Sequence, residues 1–361
     1  RYFGIFAYTM KYEYYVCCTT YIVFYFIEEQ TMRKLPVIVF SQEGHDKGKN
    51  KVLPLAIFKK FTQLFKGNKD DDLIKEYQLY EDLTVNLIEL PYNLEELTQK
   101  EGGRAARLIT RLCEKNGLER CVISGKLNNI KEICGLDKPK LIMYKGDILF
   151  RALIEQILTN LAGGNKENLY SCEVVIIEGN SRDELFAFVR CLLPMVKYLN
   201  IFTRSRIGIE DEVNNIYEES GLSIGIISDS LQAFKDADII INLGDLASVT
   251  YRPRIKKGTL VINYGNIDNL VIPDGCVVIN GIDVRLPVPL ASKIPQNVSC
   301  SFNKLEIAEM IICSRLGLKD EMIQNNAGYN LIKNINNEFN SQGYAISGLM
   351  GLYGEIAHGV K

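Results

Sequence analysis

The sequence predicts an α/β protein of two lobes, the second a doubly wound parallel sheet, followed by C-terminal helices. Three observations carry this. Short, fully apolar, β-branched runs recur along the chain, as expected of strands covered on both faces. Segments with apolar residues at three- and four-residue spacing separate them, as expected of helices with one buried stripe. Residues 173–206 then give strand, tight turn, helix and second strand in the order of a βαβ unit, of the size that makes half a mononucleotide-binding fold.

The chain has 361 residues and a formal net charge of −2; the length suggests two domains, or three small ones, with ample material for a core. Hydrophobic residues make up 47% and charged residues 24%, ordinary values for a globular protein. Near-neutral charge gives no support for a nucleic-acid or anionic-membrane partner. The ten cysteines show no C-x-x-C or C-x-x-H spacing and read as buried or free thiols of a cytoplasmic protein. Two histidines, His45 and His358, stand near opposite ends, so neither a metal site nor a Ser-His-Asp triad is expected.

Residues 1–31 differ from the rest. The stretch 12–27 is rich in aromatics, too short and too polar for a membrane span, and no small-residue cleavage site follows it. Met32 precedes an ordinary apolar start. The expectation is that Met32 initiates the protein and that 1–31 is an upstream extension; the alternative is an amphipathic or signal-anchor leader.

The first lobe is expected over 35–164. Strands fall at 37–40, 85–90, 121–124 and 141–144. Residues 41–51 read as a loop, Pro54 as the first turn of a helix, and Asp70-Asp71-Asp72 as a solvated turn. Asn93 can cap a helix that Gly102-Gly103 should interrupt before 104–115 continues it. A single amphipathic helix is expected over 148–161, ending at Gly163-Gly164.

The second lobe is expected over 165–285. Strands fall at 174–177, 199–202, 224–227, 239–242, 260–263 and 277–279, with helices between most of them and a basic turn at 252–258. Residues 303–361 read as helical, with one clear helix at 304–316, packing back on the lobes without a strand partner.

The turn after the strand at 174–177 runs Glu178-Gly179-Asn180-Ser181-Arg182-Asp183-Glu184. A pyrophosphate site at a helix N-terminus wants G-x-G-x-x-G, so that bare backbone can approach the ligand. Only the first glycine is present. Ser181-x-x-Glu184 reads instead as a capping box, whose side chains would satisfy the N–H groups a phosphate needs. Asp183 and Glu184 also place negative charge there, and Arg182 is the local compensation.

From Glu173 to Asp283, about a third of the chain, the order of features resembles the NADP-binding lobe of shikimate dehydrogenases, glutamyl-tRNA reductases and related predicted amino-acid dehydrogenases. Thr203-Arg204-Ser205 is similar to the Asn-Arg-Thr with which shikimate dehydrogenases read an adenosine 2′-phosphate. Ala237-Asp238-Ile239-Ile240-Ile241-Asn242 looks like their strand that ends beside the nicotinamide. Gly258-x-Leu260-Val261-Ile262-Asn263-x-Gly265-Asn266 looks like their next strand. A looser likeness is to long-chain acyl-carrier-protein reductases, in Gly146-Asp147 at a helix start and in Ala308-Glu309 on a late helix. There Glu306 stands where those enzymes have their nucleophilic cysteine, with Cys300 six residues earlier. The substrate motif of shikimate dehydrogenases is absent.

Ligands of an open parallel sheet sit beyond the carboxyl ends of its strands. That nominates Lys145 and Asp147 as a catalytic pair able to relay a proton during hydride transfer, with Lys126 as a further first-lobe position. As cofactor-binding residues it nominates Gly179, Asn180, Ser181, Arg182, Thr203, Arg204, Ser205, Asn242, Gly244 and Gly265. The expected cofactor is NADP, because Arg204 can pair with a 2′-phosphate and no acidic residue ends that strand. Two functions stay open: an NADP-dependent oxidoreductase with a small-molecule substrate between the lobes, and a non-catalytic descendant that has become a binding or assembly module. A homo-oligomer is an open expectation for either.

Overall fold

The computed structural model describes residues 32–40, 73–90, 99–124, 139–165, 167–246, 255–266, 275–318 and 328–356. The sequence expectations for 1–31, 41–51, Pro54, Asp70–Asp72, Asn93, Lys126, His45, His358 and 252–254 lie outside them.

The first lobe is built on five strands: β1 (Arg33–Phe40), β2 (Ile74–Tyr80), β3 (Leu83–Leu90), β4 (Arg120–Ser124) and β5 (Lys140–Tyr144), in the order β2-β3-β1-β4-β5. β1 lies between β3 and β4, parallel to both, and β4 pairs parallel with β5. Its alternate residues serve two cores. Ile38 and Phe40 pack with Ile109 and Leu112 of α1 (Gln99–Lys115). Leu35, Val37 and Val39 face the main core, with Ile307 and Ile311 of a late helix. β2 was not anticipated. It is an antiparallel edge strand paired with β3 and mostly exposed or half-buried, so it lacks the apolar run that marks the inner strands.

Two helical expectations change. α1 runs through Gly102-Gly103 without a break, because the apolar stripe from Ala105 to Cys113 anchors it on the sheet. The helix expected over 148–161 is two, α2 (Asp147–Ala152) and α3 (Ile154–Leu161), which share Leu153 as a non-helical cap.

After α4 (Glu167–Tyr170), strands and helices of the second lobe alternate as far as β9: β6 (Glu173–Ile177), α5 (Arg182–Leu192), β7 (Tyr198–Phe202), α6 (Ile209–Ser220), β8 (Ile224–Ile227), α7 (Ser230–Lys235) and β9 (Ile239–Asn242), with β10 (Leu260–Asn263) and β11 (Val277–Ile279) following among the described residues. The sheet order is β11-β10-β9-β6-β7-β8, all parallel. Read from β8, this is the 3-2-1-4-5-6 order of a Rossmann-like doubly wound fold. β6 sits at the centre, with Val174 to Ile177 buried on both faces.

The C-terminal part contains α8 (Val288–Ala291), α9 (Gln296–Ser301), α10 (Lys304–Arg315) and α11 (Tyr329–Ser341). α10 packs on β1 and β5 of the first lobe, and α11 on α2 and α5. The expectation of an all-helical end is corrected. β13 (Ala345–Gly351) pairs antiparallel with β12 (Gly281–Arg285) and with β14 (Gly354–Ile356). Small residues dominate β13, so its sequence carries neither an apolar run nor a clean alternation.

Candidate functional site

In this sheet the order reverses between β6 and β9, which is where a ligand of a doubly wound fold is expected. The loops leaving these strands touch. A Cβ on Gly179 would lie 2.4 Å from the Leu243 carbonyl oxygen, and one on Gly244 2.3 Å from the Glu178 carbonyl oxygen. A Cβ on Gly265, just after β10, would lie 1.8 Å from the carbonyl oxygen of Gly244. The three glycines nominated for the cofactor are thus required by close approach of their own loops.

The helix start behaves as half a capping box. The N–H of Glu184 donates to the Ser181 hydroxyl at 3.3 Å, with Ser181 as N-cap of α5. The expected return bond is replaced. The buried Glu184 carboxylate takes the Arg151 Nε–H of α2 at 2.6 Å. Arg151 also donates to the Tyr264 carbonyl at 3.2 Å and lies 5.7 Å from the centre of the Tyr264 ring. That ring packs against Phe150 and Phe188, at centroid distances of 4.4 and 5.0 Å. Burial holds the Tyr264 phenol well above its usual pKa, so it stays protonated and donates to the Phe150 carbonyl. The first turn of α2 is thereby fixed against the carboxyl edge of the second sheet.

At the end of β7, Thr203 is buried while Arg204 and Ser205 are exposed. The Thr203 oxygen accepts the N–H of Ser205 at 2.9 Å, and its hydroxyl hydrogen faces both the Glu178 carboxylate and the Ser205 carbonyl. Glu178 Oε1 lies 3.9 Å from Arg182 Nε. An acidic group therefore does stand at the end of β7, delivered from the end of β6. The strand itself ends without an acidic residue, as expected, and the acid beside it comes from its neighbour.

Asn242 is fully buried and its amide is spent inside the protein. It donates to Asn263 Oδ1 at 2.7 Å and to the Asn266 carbonyl at 3.2 Å, and accepts the N–H of Gly244 at 3.2 Å. Asn263 continues the ladder to Asn280 Oδ1 at 2.6 Å. These amides tie the ends of three strands together, leaving Asn242 no donor for a nicotinamide.

Lys145 and Asp147 follow β5 and are both exposed, with no hydrogen bond or ion pair between them. Between them Gly146 is buried and left-handed, at φ 85°, as N-cap of α2 without a side-chain cap of its own. Glu309 of α10 supplies the cap. Its carboxylate accepts the N–H of Gly146 at 3.1 Å and of Leu149 at 2.9 Å. Burial pushes the Glu309 carboxyl up to about 7, against the pull of those N–H groups and with a further push from Asp147. The two pieces picked out by the looser family likeness, Gly146-Asp147 and Ala308-Glu309, are in direct contact.

Arg151 has no place in the sequence reading of the site, and Glu178, Glu184 and Glu309 enter it only through the turn and the looser likeness, without the partners found here. Arg151 had a readable signal, a lone arginine in the apolar helical stretch ILFRALIEQIL. The ladder had one too, in the repeated pattern of three apolar residues and Asn at 239–242, 260–263 and 277–280. Nothing local marked Glu178 as the partner of Thr203 or Glu309 as the cap of Gly146. Among the described residues, no group of three His, Cys, Asp or Glu is placed to hold a metal ion, and no helix is long and apolar enough to cross a membrane.

No protein-family model and no curated protein matches the sequence. Among solved structures, L-tryptophan dehydrogenase from Nostoc punctiforme is similar at 12% identity and a TM-score of 0.30, over 85% of this chain and 80% of that one. D-mandelate dehydrogenase from Rhodotorula graminis is similar at 8% identity and a TM-score of 0.30, over 79% and 94%. Ornithine transcarbamoylase from Giardia lamblia is similar at 10% identity and a TM-score of 0.28, over 69% and 80%. At these values the architecture rests on the strand order itself.

Proposed function

We propose that this chain is an oxidoreductase-like protein that takes NADP(H) weakly at the carboxyl edge of its second sheet, with a small-molecule substrate held between the lobes. The observation that carries this is the position of the turn 203–205. It ends the strand next to β6 in a 3-2-1-4-5-6 sheet, beside the turn into α5. The adenosine side fits the group in part, since the Glu178 carboxylate faces the same turn. Exposed Arg204 and Arg182 supply cationic forks for a 2′-phosphate, and the Thr203 oxygen stiffens the turn through the N–H of Ser205. The pyrophosphate side fits less well, because Ser181 already holds the N–H of Glu184 and Glu178 adds charge of the wrong sign. When bound, NADPH would supply a hydride. Lys145 would give the proton to the substrate oxygen, and Asp147, which does not touch it in this structure, would have to turn onto that lysine to hold its charge.

The second function, a non-catalytic binding module, is favoured by the Ser181 cap together with the spent amide of Asn242. Titration of NADPH and NADH against wild type and Arg204→Ala separates the two. The oxidoreductase-like function expects tighter binding of NADPH, reduced by Arg204→Ala by about tenfold or more, the value of one charge-assisted contact. No binding of either dinucleotide, with no rise in melting temperature, removes it in favour of the module.

A further inference from the structure

We propose that Cys113 and Cys121 form an oxidation-responsive pair that closes into an intramolecular disulfide in the first lobe. Their sulfurs lie 3.3 Å apart, between the last turn of α1 and the second residue of β4. Both thiols are free and buried in the apolar layer under α1, with Ile109, Leu112 and Ile123. No other pair of described cysteines is in hydrogen-bond contact.

The chain between them fixes this approach. Left-handed Gly117, at φ 63°, reverses the backbone; Leu118 N–H donates to the Cys113 carbonyl at 2.8 Å, and Asn116 Nδ2–H to the Leu112 carbonyl at 2.7 Å. A disulfide needs a sulfur separation of about 2.05 Å, so the pair must close by little more than 1 Å, a displacement within reach of small side-chain rotations. The contact also divides the roles. Either sulfur can donate to the other across this contact; with the Cys121 S–H donating, the Cys113 thiol is held below its usual range and Cys121 is pushed up. In that arrangement Cys113 is the sulfur that becomes thiolate. It adjoins an exposed reversal, residues 114–117, so opening of the last helical turn admits a small oxidant.

With hydrogen peroxide the step balances as follows. The Cys113 thiolate attacks one peroxide oxygen, the O–O bond breaks, and the leaving hydroxide takes the Cys113 proton as water. Cys121 sulfur then attacks the sulfenic sulfur of Cys113. The S–S bond forms, the S–O bond breaks, and the second hydroxide leaves with the Cys121 proton. The two thiols lose two electrons, the peroxide gains two, and a thiol reductant reverses the change by exchange.

The test uses the full chain with Cys300→Ala, which removes an exposed competing thiol. Native protein is treated with hydrogen peroxide, unfolded in the presence of an alkylating agent, and mapped by mass spectrometry. The expected result is a loss of two hydrogens confined to linked peptides carrying Cys113 and Cys121, restored by dithiothreitol and absent in Cys113→Ser and Cys121→Ser. Alkylation of both thiols after peroxide overturns the proposal. So does a sulfinic acid on either without a cross-link, or a disulfide to another cysteine. If the serine variants fail to fold, the peptide map of the Cys300→Ala chain decides alone.

Discussion

Glu309 caps Gly146. A carboxylate from α10 accepts the backbone N–H that opens α2, 163 residues earlier in the chain, at 3.1 Å. This bond sets the direction of the backbone between Lys145 and Asp147. It also places a buried acid next to the proposed catalytic pair.

Glu309 makes stability fall with rising pH. Its folded pKa of about 7 lies above the ordinary carboxyl value. Between the two values the native state holds a proton that the unfolded chain has released. The stabilisation is complete below about pH 4.5 and is lost as pH rises through 7, amounting to about 3 kcal/mol. Urea midpoints of wild type minus Glu309→Gln, taken from pH 5 to 8, should slope downward and level off near pH 8. A flat difference removes this role.

The Arg151–Glu184 pair joins the lobes. Both partners are largely shielded, with side-chain exposures of 23% and 9%. Arg151→Ala strands a buried carboxylate and should cost about 3 kcal/mol, whereas Arg151→Ala with Glu184→Leu should recover much of it. Denaturant unfolding of the two single variants and the double variant measures the coupling. Additive losses would show that the pair contributes nothing as a pair.

The loop contacts should forbid side chains. A Cβ on Gly265 meets the Gly244 carbonyl oxygen at 1.8 Å, backbone that cannot give way cheaply. Gly265→Ala should lower stability by about 3 kcal/mol. Gly103→Ala, in open space on α1, should stabilise by about 1 kcal/mol. Thermal unfolding of the two variants should give shifts of opposite sign.

Dinucleotide binding should improve when the turn is freed. Ser181→Gly with Asp183→Ala removes the cap and one charge while keeping the Arg151–Glu184 pair, at a cost of a few tenths of a kcal/mol from the cap. Glu178→Gln should raise affinity for NADPH more than for NADH, because the carboxylate faces the 203–205 turn. Fluorescence titrations measure both, and unchanged affinities would leave the turn without a role in binding.

The sequence by itself determined the alternation of the second lobe. Each inner strand is covered on both faces, so β6, β7, β9 and β10 had to be short apolar runs, and a buried parallel strand can be read from such a run alone. It also determined the Ser181 cap, a bond between neighbours three residues apart. Tertiary structure decided the partner of Glu184, since it brings the half-buried Arg151 guanidinium, a full opposite charge, within 2.6 Å of that carboxylate. It decided β2 and β13 as well, whose pairing comes from a neighbouring strand and not from their own pattern. The same holds for Glu178 beside Thr203 and Glu309 beneath Gly146. Those contacts join residues 25 and 163 positions apart, and a local pattern carries no record of a partner at that distance.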